Sequence, residues 1–367
     1  MKTKLNEELL DLLSHKDGLC ASLIIPLQKV PEGTSTDRLE IRHAFEELKS
    51  KLSEMNHQDS VLLDKVEELC SQASKIKGQS GVGIFVSYNL AKLYTFPFAV
   101  KEKIVVGNSF ELRDLVQKQR YNRNYLILLI GGFGSRLFNA GENLFEEVND
   151  QNFPASFDGL DYEIPIQENQ GDDSLKPLKR DVGFTVKSKE AFYNRIDEKL
   201  NSYLTGEIRL FIAGTGKEPE EYLNHTVHKS RIAGKIQGSF DDNILVQLKE
   251  KGREAMHKYL QLQEQDLLKH LNETGRQFIS AGIRDVWYDA KQGKGNLLLV
   301  ERDLQQPAFI GENEFDLQLQ PGKGEQKYIM DAVDDAVETV LEKNGTVVFV
   351  ENGSLKEYNG IALENRY

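Results

Sequence analysis

Apolar residues recur along the chain in two patterns that alternate with each other. Short continuous runs, such as residues 20–26 and 125–130, have the length of buried strands. Other segments repeat apolar residues every three or four positions, as Ile41, Phe45 and Leu48 do, which indicates helices with one apolar face. Because strands and helices alternate, the pattern predicts an α/β fold.

Two segments interrupt this pattern and predict domain boundaries. The polar, basic stretch 118–124 (KQRYNRN) precedes an apolar hairpin with a glycine-rich turn, and residues 151–186 show no period. A predicted helix over 188–204 closes this part, and alternation resumes at residue 207. We therefore predict three α/β domains in tandem: 1–118, 119–206 with the long irregular loop 151–186, and 207–367. The alternation in the last domain predicts a mostly parallel sheet covered by helices.

Composition is that of an ordinary globular chain, with 367 residues of which 39% are hydrophobic and 28% are charged. No apolar run approaches the roughly 20 residues of a membrane span. The acidic, amphipathic start lacks the apolar segment of a signal peptide. Two cysteines are too few for a disulfide framework or a zinc site, so we expect Cys20 and Cys70 to be buried, reduced thiols. These features predict a cytoplasmic protein that does not associate with membranes.

Charge argues against a protein that binds nucleic acid over its whole surface. The chain has 46 basic and 58 acidic residues, a net charge of -12, whereas duplex-binding proteins usually carry a basic excess. The imbalance is uneven, since residues 1–118 hold 16 basic and 17 acidic side chains and residues 207–367 hold 20 and 27. Contacts with RNA are therefore expected to be local, and the acidic last domain suits a protein partner.

Two basic segments are candidates for such contacts. The irregular loop has six acids in residues 158–173 and then five bases in its second part and the following residues: Lys176, Lys179, Arg180, Lys187 and Lys189. The stretch before the hairpin mixes bases with an aromatic ring in Lys118, Arg120, Tyr121 and Arg123, as surfaces that bind single-stranded RNA do. A solvated loop with compensating charges, and a charged interdomain linker, are the alternatives.

Motifs for catalysis, cofactors or metals are missing. Gly132, Phe133 and Gly134 lack the third glycine of a dinucleotide fingerprint, and the sequence around Gly216 and Lys217 lacks the other positions of a phosphate loop. His225 and His228 have no nearby cysteine to complete a zinc site. The sequence therefore predicts no catalytic residue, no metal, no cofactor and no enzymatic activity.

The order of the segments resembles a known superfamily over essentially the whole chain. SLIIP, GVGIFVS and VVGNSFELRDLVQ are similar to the N-terminal domain of archaeo-eukaryotic class-one peptide-chain release factors and of Pelota. NYLILLIGGFGSRLF resembles the start of their middle domain, and LFIAGTGKEPEEYL with ISAGIRDVWYDAKQGKGNLLLVERD resembles their C-terminal domain. The closing NGIALENRY resembles the bacterial branch, which includes the Balon-type ribosome hibernation factors.

This resemblance implies an RNase H-like middle domain and a protein that enters the ribosomal A site as a transfer RNA does. It implies rRNA contacts at the decoding and peptidyl-transferase centres. It also implies a translational GTPase, such as elongation factor Tu, as partner of the acidic C-terminal domain. Two family motifs are missing, because no Gly-Gly-Gln tripeptide occurs and residues 33–42 (GTSTDRLEIR) replace the codon-reading Asn-Ile-Lys-Ser. The departures favour occupation of idle or stalled ribosomes, in hibernation or rescue, over termination.

The segment at that codon-reading position completes the set of candidate RNA contacts. It offers hydroxyl groups and bases suited to the rRNA backbone: Lys29, Thr34, Ser35, Thr36, Arg38 and Arg42. A loop that only caps the following helix is the equal alternative. Two other functions also stay open. One is an RNA-processing enzyme that uses the RNase H-like domain with a magnesium-binding acidic cluster, and the other is a protein-binding adaptor without RNA contact.

Overall fold

The computed structural model describes residues 7–15, 18–27, 36–55, 60–121, 123–131, 134–141, 144–156, 182–238, 244–322 and 326–366. Contacts divide the chain into two compact units. The first combines Met1–Arg120 with Asp266–Tyr367, and the second is Tyr121–Gln265. We describe each unit by itself. None of the helices in the described ranges is both long and apolar enough to span a membrane.

The N-terminal segment of the first unit is an antiparallel sheet between two helical layers. Its elements are α1 (Glu7–Ser14), β1 (Cys20–Pro26), α2 (Thr36–Glu54), α3 (Ser60–Ala73), β2 (Gly81–Val86), β3 (Ala91–Phe96), β4 (Lys103–Gly107) and α4 (Arg113–Tyr121). The strand order is β3-β2-β1-β4. Since side chains alternate across a strand, Leu23 and Ile25 of β1 pack with α2 and α3, whereas Cys20 and Ile24 belong to the core on the other face.

The second unit has the strand order of an RNase H-like fold. Its elements are β5 (Tyr125–Gly131), β6 (Gly134–Ala140), β7 (Phe145–Glu147), β8 (Ala155–Ser156), α5 (Val182–Leu200), β9 (Arg209–Gly214), α6 (Glu218–His225), β10 (Ile232–Gln237) and α7 (Ile244–Glu273). The order is β10-β9-β5-β6-β7, with β6 and β7 antiparallel to their neighbours and β9 and β10 parallel to β5. Helices α5 and α6 pack on one face and the part of α7 up to residue 265 packs on the other.

The C-terminal segment adds the remaining elements of the first unit. They are β11 (Ile279–Ala281), α8 (Ile283–Lys291), β12 (Gly295–Glu301), β13 (Ala308–Ile310), β14 (Leu317–Gln318), β15 (Tyr328–Ile329), α9 (Ala332–Glu342), β16 (Thr346–Val350) and β17 (Ile361–Asn365). One sheet has the order β11-β17-β12-β16, and a small sheet has the order β14-β13-β15.

The α/β class, the RNase H-like middle sheet and the hairpin are confirmed, and both cysteines are free and buried as predicted. The expectation of a mostly parallel C-terminal sheet is wrong, because only β12 and β16 pair in parallel while β17 is antiparallel to β12 and β11. The alternating pattern holds for the β12–α9–β16 crossover. The connection from β16 to β17 has no α-helix, and parallel neighbours usually need a helical crossover.

The observed grouping of the chain also differs from the predicted boundary at residue 206. Strand β9 pairs along its length with β5, and β10 extends the same sheet, so residues 209–237 belong with the middle sheet. This pairing joins Tyr125 to Arg209, more than eighty positions apart, which local periodicity cannot reveal. Whether residues 1–118, 119–206 and 207–367 fold as separate domains is not tested by this grouping, and that division stays a prediction.

The first and last segments of the chain share one hydrophobic core in the first unit. This core joins side chains such as Cys20, Phe85 and Phe110 of the N-terminal segment to Val333 and Val337 of α9. Nine of the eleven residues of α9 are buried, as expected for a helix that is covered on all sides. The first and the last of the three predicted domains are therefore not separate, because parts of both contribute to this one core.

Arg113 of α4 forms the polar link between the two segments. Its guanidinium donates to the Leu304 carbonyl oxygen at 2.6 Å and to Asp331 Oδ2 at 2.7 Å, while the other oxygen of Asp331 caps α9 by accepting from the backbone N–H of Val333 at 3.0 Å. The Arg113 side chain is only 3% exposed. Because both side chains are nearly excluded from water, removing one partner of this ion pair is expected to be strongly destabilising.

We predict that Arg113→Met lowers the free energy of unfolding by about 3–5 kcal/mol, since it leaves Asp331, whose side chain is only 12% exposed, without its cation. Arg42→Met is the matched control, because Arg42 lies exposed on α2 and its loss should change the free energy by less than about 0.5 kcal/mol. Chemical denaturation of both variants measures the difference. Equal stability of the two variants would contradict a structural role of the link.

Candidate nucleic-acid interface

The structure locates only some of the fifteen predicted RNA-binding residues. Six lie outside the described residues: Lys29, Thr34, Ser35, Lys176, Lys179 and Arg180. Five more lie on helices, with side chains outside the described part of the structure: Thr36 and Arg38 on α2, Arg120 and Tyr121 on α4, and Lys187 on α5. The remaining four, Arg42, Lys118, Arg123 and Lys189, can be examined with their surroundings.

Lys118 and Arg42 are the predicted bases in the described part of the first unit. Lys118 is half-buried on α4, with its ammonium 5.4 Å from the centre of the Tyr94 ring. This distance allows a cation–π contact. Arg42 is exposed on α2. The sequence did not single out Tyr94, because strand β3 and helix α4 are brought together only by the fold.

Arg123 belongs to a cluster of bases and a ring in the second unit. Burial lowers the pKa of the Arg123 guanidinium, and the positive charge of the neighbouring Arg209 lowers it further. The carboxylate of Glu207 and the Tyr259 side chain raise this pKa. The guanidinium of Arg209 lies 5.8 Å from the centre of the Tyr259 ring and donates to the Ser230 carbonyl oxygen at 2.9 Å. Arginine beside an aromatic ring is an arrangement that proteins use to stack on RNA bases.

The sequence missed two members of this cluster, Arg209 and Tyr259. Arg209 opens β9 beside the start of β5, and Tyr259 comes from the middle of the long helix α7. The sequence did contain a signal for Arg209, because a basic residue stands at the first position of the otherwise apolar strand β9. Their proximity to Arg123 depends on strand pairing and helix packing, which spacing along the chain does not contain.

Lys189 is held by neighbouring acidic and aromatic groups. Its ammonium lies 2.9 Å from Glu221 Oε2, and the Tyr193 hydroxyl donates to the same oxygen at 3.3 Å. The hydrogen bond from Lys189 lowers the pKa of Glu221, and burial raises that of Tyr193. A phosphate at Lys189 would therefore have to compete with Glu221, which makes this base a poorer candidate than Arg42.

A cleft of about 270 Å³ lies at the carboxyl ends of β9 and β10. Its walls are the glycine-rich turn at 214–216, the start of α6 and the end of β10, with an ion pair between Lys235 and Glu220. Ligands of open α/β sheets often bind at this end of the strands. The three glutamates in the first turn of α6 make the cleft unfavourable for an anion.

Metal-ligating side chains converge at one place in the described residues, in the first unit. His43 and Glu47 of α2 and Glu102 before β4 have ligand atoms within 4.8 Å of one another. Lys51 lies 3.0 Å from Glu47, so an ammonium already occupies part of this exposed group. No such acidic group is found among the described residues of the second unit, where the RNA-processing alternative would require one.

The fold and these surfaces define an α/β protein with an RNase H-like unit and arginine–aromatic and lysine–aromatic contacts near its surface. Residues 124–294 match the family model described as "Bacterial archaeo-eukaryotic release factor family 3". Over these residues, the match agrees with the resemblance to release factors noted in the sequence. No curated protein matches the chain.

Three solved structures illustrate the similarity to whole proteins. Pelota of Archaeoglobus fulgidus is 14% identical, with 78% of this chain and 79% of that chain covered at a TM-score of 0.37. An archaeal Pelota from a ribosome-bound model with ABCE1 is 13% identical, with 100% and 95% covered at 0.39. Dom34 of S. cerevisiae, a translation termination-like factor that interacts with Hbs1, is 10% identical, with 78% and 79% covered at 0.39. TM-scores this low add nothing about activity.

We predict that Gly214→Ala destabilises the second unit by about 1–3 kcal/mol or more. A Cβ at this position would overlap the carbonyl oxygen of Ile130 and lie 2.8 Å from Cγ of Pro219, and the backbone cannot easily move away. Gly131→Ala is the matched control at the end of β5, where a Cβ meets no described atom within 4 Å. Thermal unfolding should separate the two variants, and equal melting temperatures would contradict the close approach of β5 and α6.

Proposed function

We propose that this protein is a non-enzymatic, ribosome-associated factor that occupies the A site of idle or stalled ribosomes in the cytoplasm. The role would be hibernation or rescue rather than termination. The observation that carries the proposal is the match of residues 124–294 to a bacterial release factor family. The archaeal Pelota mentioned above is ribosome-bound, and the proposal extends that property to this chain.

The absence of catalysis is proposed from the sequence motifs. Peptide release by the superfamily depends on a Gly-Gly-Gln tripeptide, and here the only Gly-Gly pair, Gly131 and Gly132, is followed by Phe133. Gly131 ends β5 and pairs with Gly134 at the start of β6, so Gly131 is part of a strand of the hairpin. The enzyme alternative would need a group of acidic side chains that binds metal ions for RNA cleavage. No such group is found among the described residues of the second unit.

The proposed rRNA contacts are local, as the charge of the chain requires. Arg42 is exposed, Lys118 lies beside Tyr94, and Arg123 lies with Arg209 and Tyr259. Bases with neighbouring rings suit single-stranded or looped RNA. The acidic last segment, with 20 basic and 27 acidic side chains in residues 207–367, is proposed to face elongation factor Tu or another translational GTPase.

Sedimentation of lysates through sucrose tests the proposed association. We expect the protein to travel with ribosomes, with a larger fraction bound in starved cells than in growing cells. Purified ribosomes given the purified protein should retain a nascent peptide on the P-site tRNA, because the proposed factor has no hydrolytic group. Absence from ribosomes in both growth states would contradict the proposal, and peptide release would contradict its non-enzymatic part.

Arg42→Glu is expected to weaken ribosome binding and to lower the slope of log affinity against log salt concentration by about one or more, because a phosphate contact is lost. Lys77→Glu is the control, since Lys77 is also exposed in the same segment but was not among the predicted contacts. Binding of purified protein to purified ribosomes at several salt concentrations measures both. Equal losses for both variants would indicate a charge effect without a defined contact at Arg42.

The adaptor alternative gives a different result in the same measurements. A protein that reaches ribosomes only through a protein partner should lose its association when that partner is removed. Its association should also respond little to Arg42→Glu. The purified protein would then fail to bind purified ribosomes, although it sedimented with them in lysates.

A further inference from the structure

Asparagine is followed directly by glycine at three places in the chain, Asn344, Asn352 and Asn359. Such a pair can react with itself. The backbone nitrogen of the glycine attacks Cγ of the asparagine, its proton passes through solvent to the side-chain nitrogen, and ammonia leaves as a five-membered succinimide ring closes. Water then opens the ring to aspartate or isoaspartate. Glycine favours the attack because it has no side chain and reaches backbone conformations that other residues avoid.

Two of the three asparagines are held in a way that blocks this reaction. Asn344 follows α9 and Asn359 follows a short 3₁₀-helix, and both have a left-handed backbone, with φ of 60° and 55°. The N–H groups of the next residues, Gly345 and Gly360, donate to carbonyl oxygens of the preceding helix ends at 2.8 and 3.0 Å. Such bonds are typical of helix ends that close on a left-handed residue. A nitrogen held like this cannot attack the side chain before the helix end opens.

The third pair lies in an exposed turn after β16. Asn352 and Gly353 are both exposed. The N–H of Gly353 has no hydrogen-bond partner among the described residues, in contrast to the N–H groups of Gly345 and Gly360. The attacking nitrogen is therefore available at this site without any opening of the fold.

The side chain of Asn352 is positioned by Asp303, which follows β12. Asn352 Oδ1 accepts from the backbone N–H of Asp303 at 3.0 Å, and Asn352 Nδ2 donates to Asp303 Oδ2 at 2.7 Å. These bonds continue the pairing of β12 with β16 beyond the ends of both strands. The N–H donor lies at the oxygen on which negative charge develops when Cγ is attacked, and a donor at that position stabilises a tetrahedral intermediate.

We propose that Asn352 is a site of spontaneous deamidation, which converts to aspartate or isoaspartate in the folded protein while Asn344 and Asn359 are protected. The chain is its own substrate, and water is the co-reactant. The observation that distinguishes this site is the exposed, unbonded N–H of Gly353 beside a positioned asparagine side chain. The inference concerns the first unit alone, and it does not depend on the proposed ribosomal role.

The conversion changes the charges around an ion pair between the two segments of the first unit. Lys101 of the N-terminal segment lies 2.7 Å from Asp303 Oδ2. The hydrogen bonds from Lys101 and from Asn352 lower the pKa of Asp303, so its carboxyl group is ionised at neutral pH. A product carboxylate at position 352 replaces the amide donor by a second negative group and repels Asp303. The conversion therefore weakens the contact between the ends of β12 and β16.

The first test is the rate of conversion at the three sites in the folded, full-length protein. The protein is incubated at mildly alkaline pH in water enriched in heavy oxygen, and each rate is divided by the rate at the same site in the chain unfolded by guanidinium. Trypsin leaves Asn344 and Asn352 on one peptide and Asn359 on the next, and fragment ions separate the first two.

We expect the folded-to-unfolded ratio at Asn352 to exceed the ratios at Asn344 and Asn359 by about tenfold or more, because a hydrogen bond must first be broken at the other two sites. Equal ratios at the three sites, or a larger ratio at Asn344 or Asn359, would overturn the proposal. Division by the unfolded rate removes the effect of the neighbouring residues in the sequence, so the comparison reports the fold alone.

The second test concerns the effect of the product on the fold. Asn352→Asp reproduces the new charge, and we expect it to lower the melting temperature of the protein. The same change made together with Asp303→Asn should lower the melting temperature less, relative to Asp303→Asn alone, because the second carboxylate is then missing. Equal losses in the two backgrounds would overturn the repulsion between residues 352 and 303.

Discussion

The packing of α9 against both ends of the chain is the constraint on which the first unit depends. The helix brings apolar side chains to the core that it shares with the N-terminal sheet, and its start is capped by Asp331, which also receives the Arg113 guanidinium. The same surface buries Asp334 and Glu338. Apolar burial and the Arg113–Asp331 ion pair both favour this arrangement, so the contacts of α9 hold the N-terminal and C-terminal segments of the first unit together.

Local patterns predicted the elements of this protein better than their grouping. Most strands and helices are where apolar runs and stripes indicate them, and the glycine-rich hairpin joins β5 to β6 as expected. The pairing of β9 with β5, the antiparallel placement of β17 and the shared core were not predicted. These features depend on contacts between residues far apart in the sequence, which a single sequence without an alignment does not reveal.

For the candidate interface too, the sequence predicted the kind of residue but not which residues the fold brings together. Composition indicated that RNA contacts would be local and would combine bases with rings, and the fold places Lys118 beside Tyr94 and Arg123 with Arg209 and Tyr259. Tyr94, Arg209 and Tyr259 could not be selected from spacing alone. Lys189 was selected for its charge, although Glu221 occupies its ammonium in the folded protein. A base contributes to binding only when its neighbours leave it available, and that property belongs to the tertiary structure.

The proposed role is that of a release-factor relative that fills the A site without chemistry of its own. A cryo-electron microscopy map of ribosomes purified with the bound protein is the decisive experiment. We expect density for the protein in the A site, with the surface around Arg42 against rRNA and intact peptidyl-tRNA where a P-site tRNA is present. Density at another ribosomal site, or ribosomes without the protein under every growth condition, would contradict it.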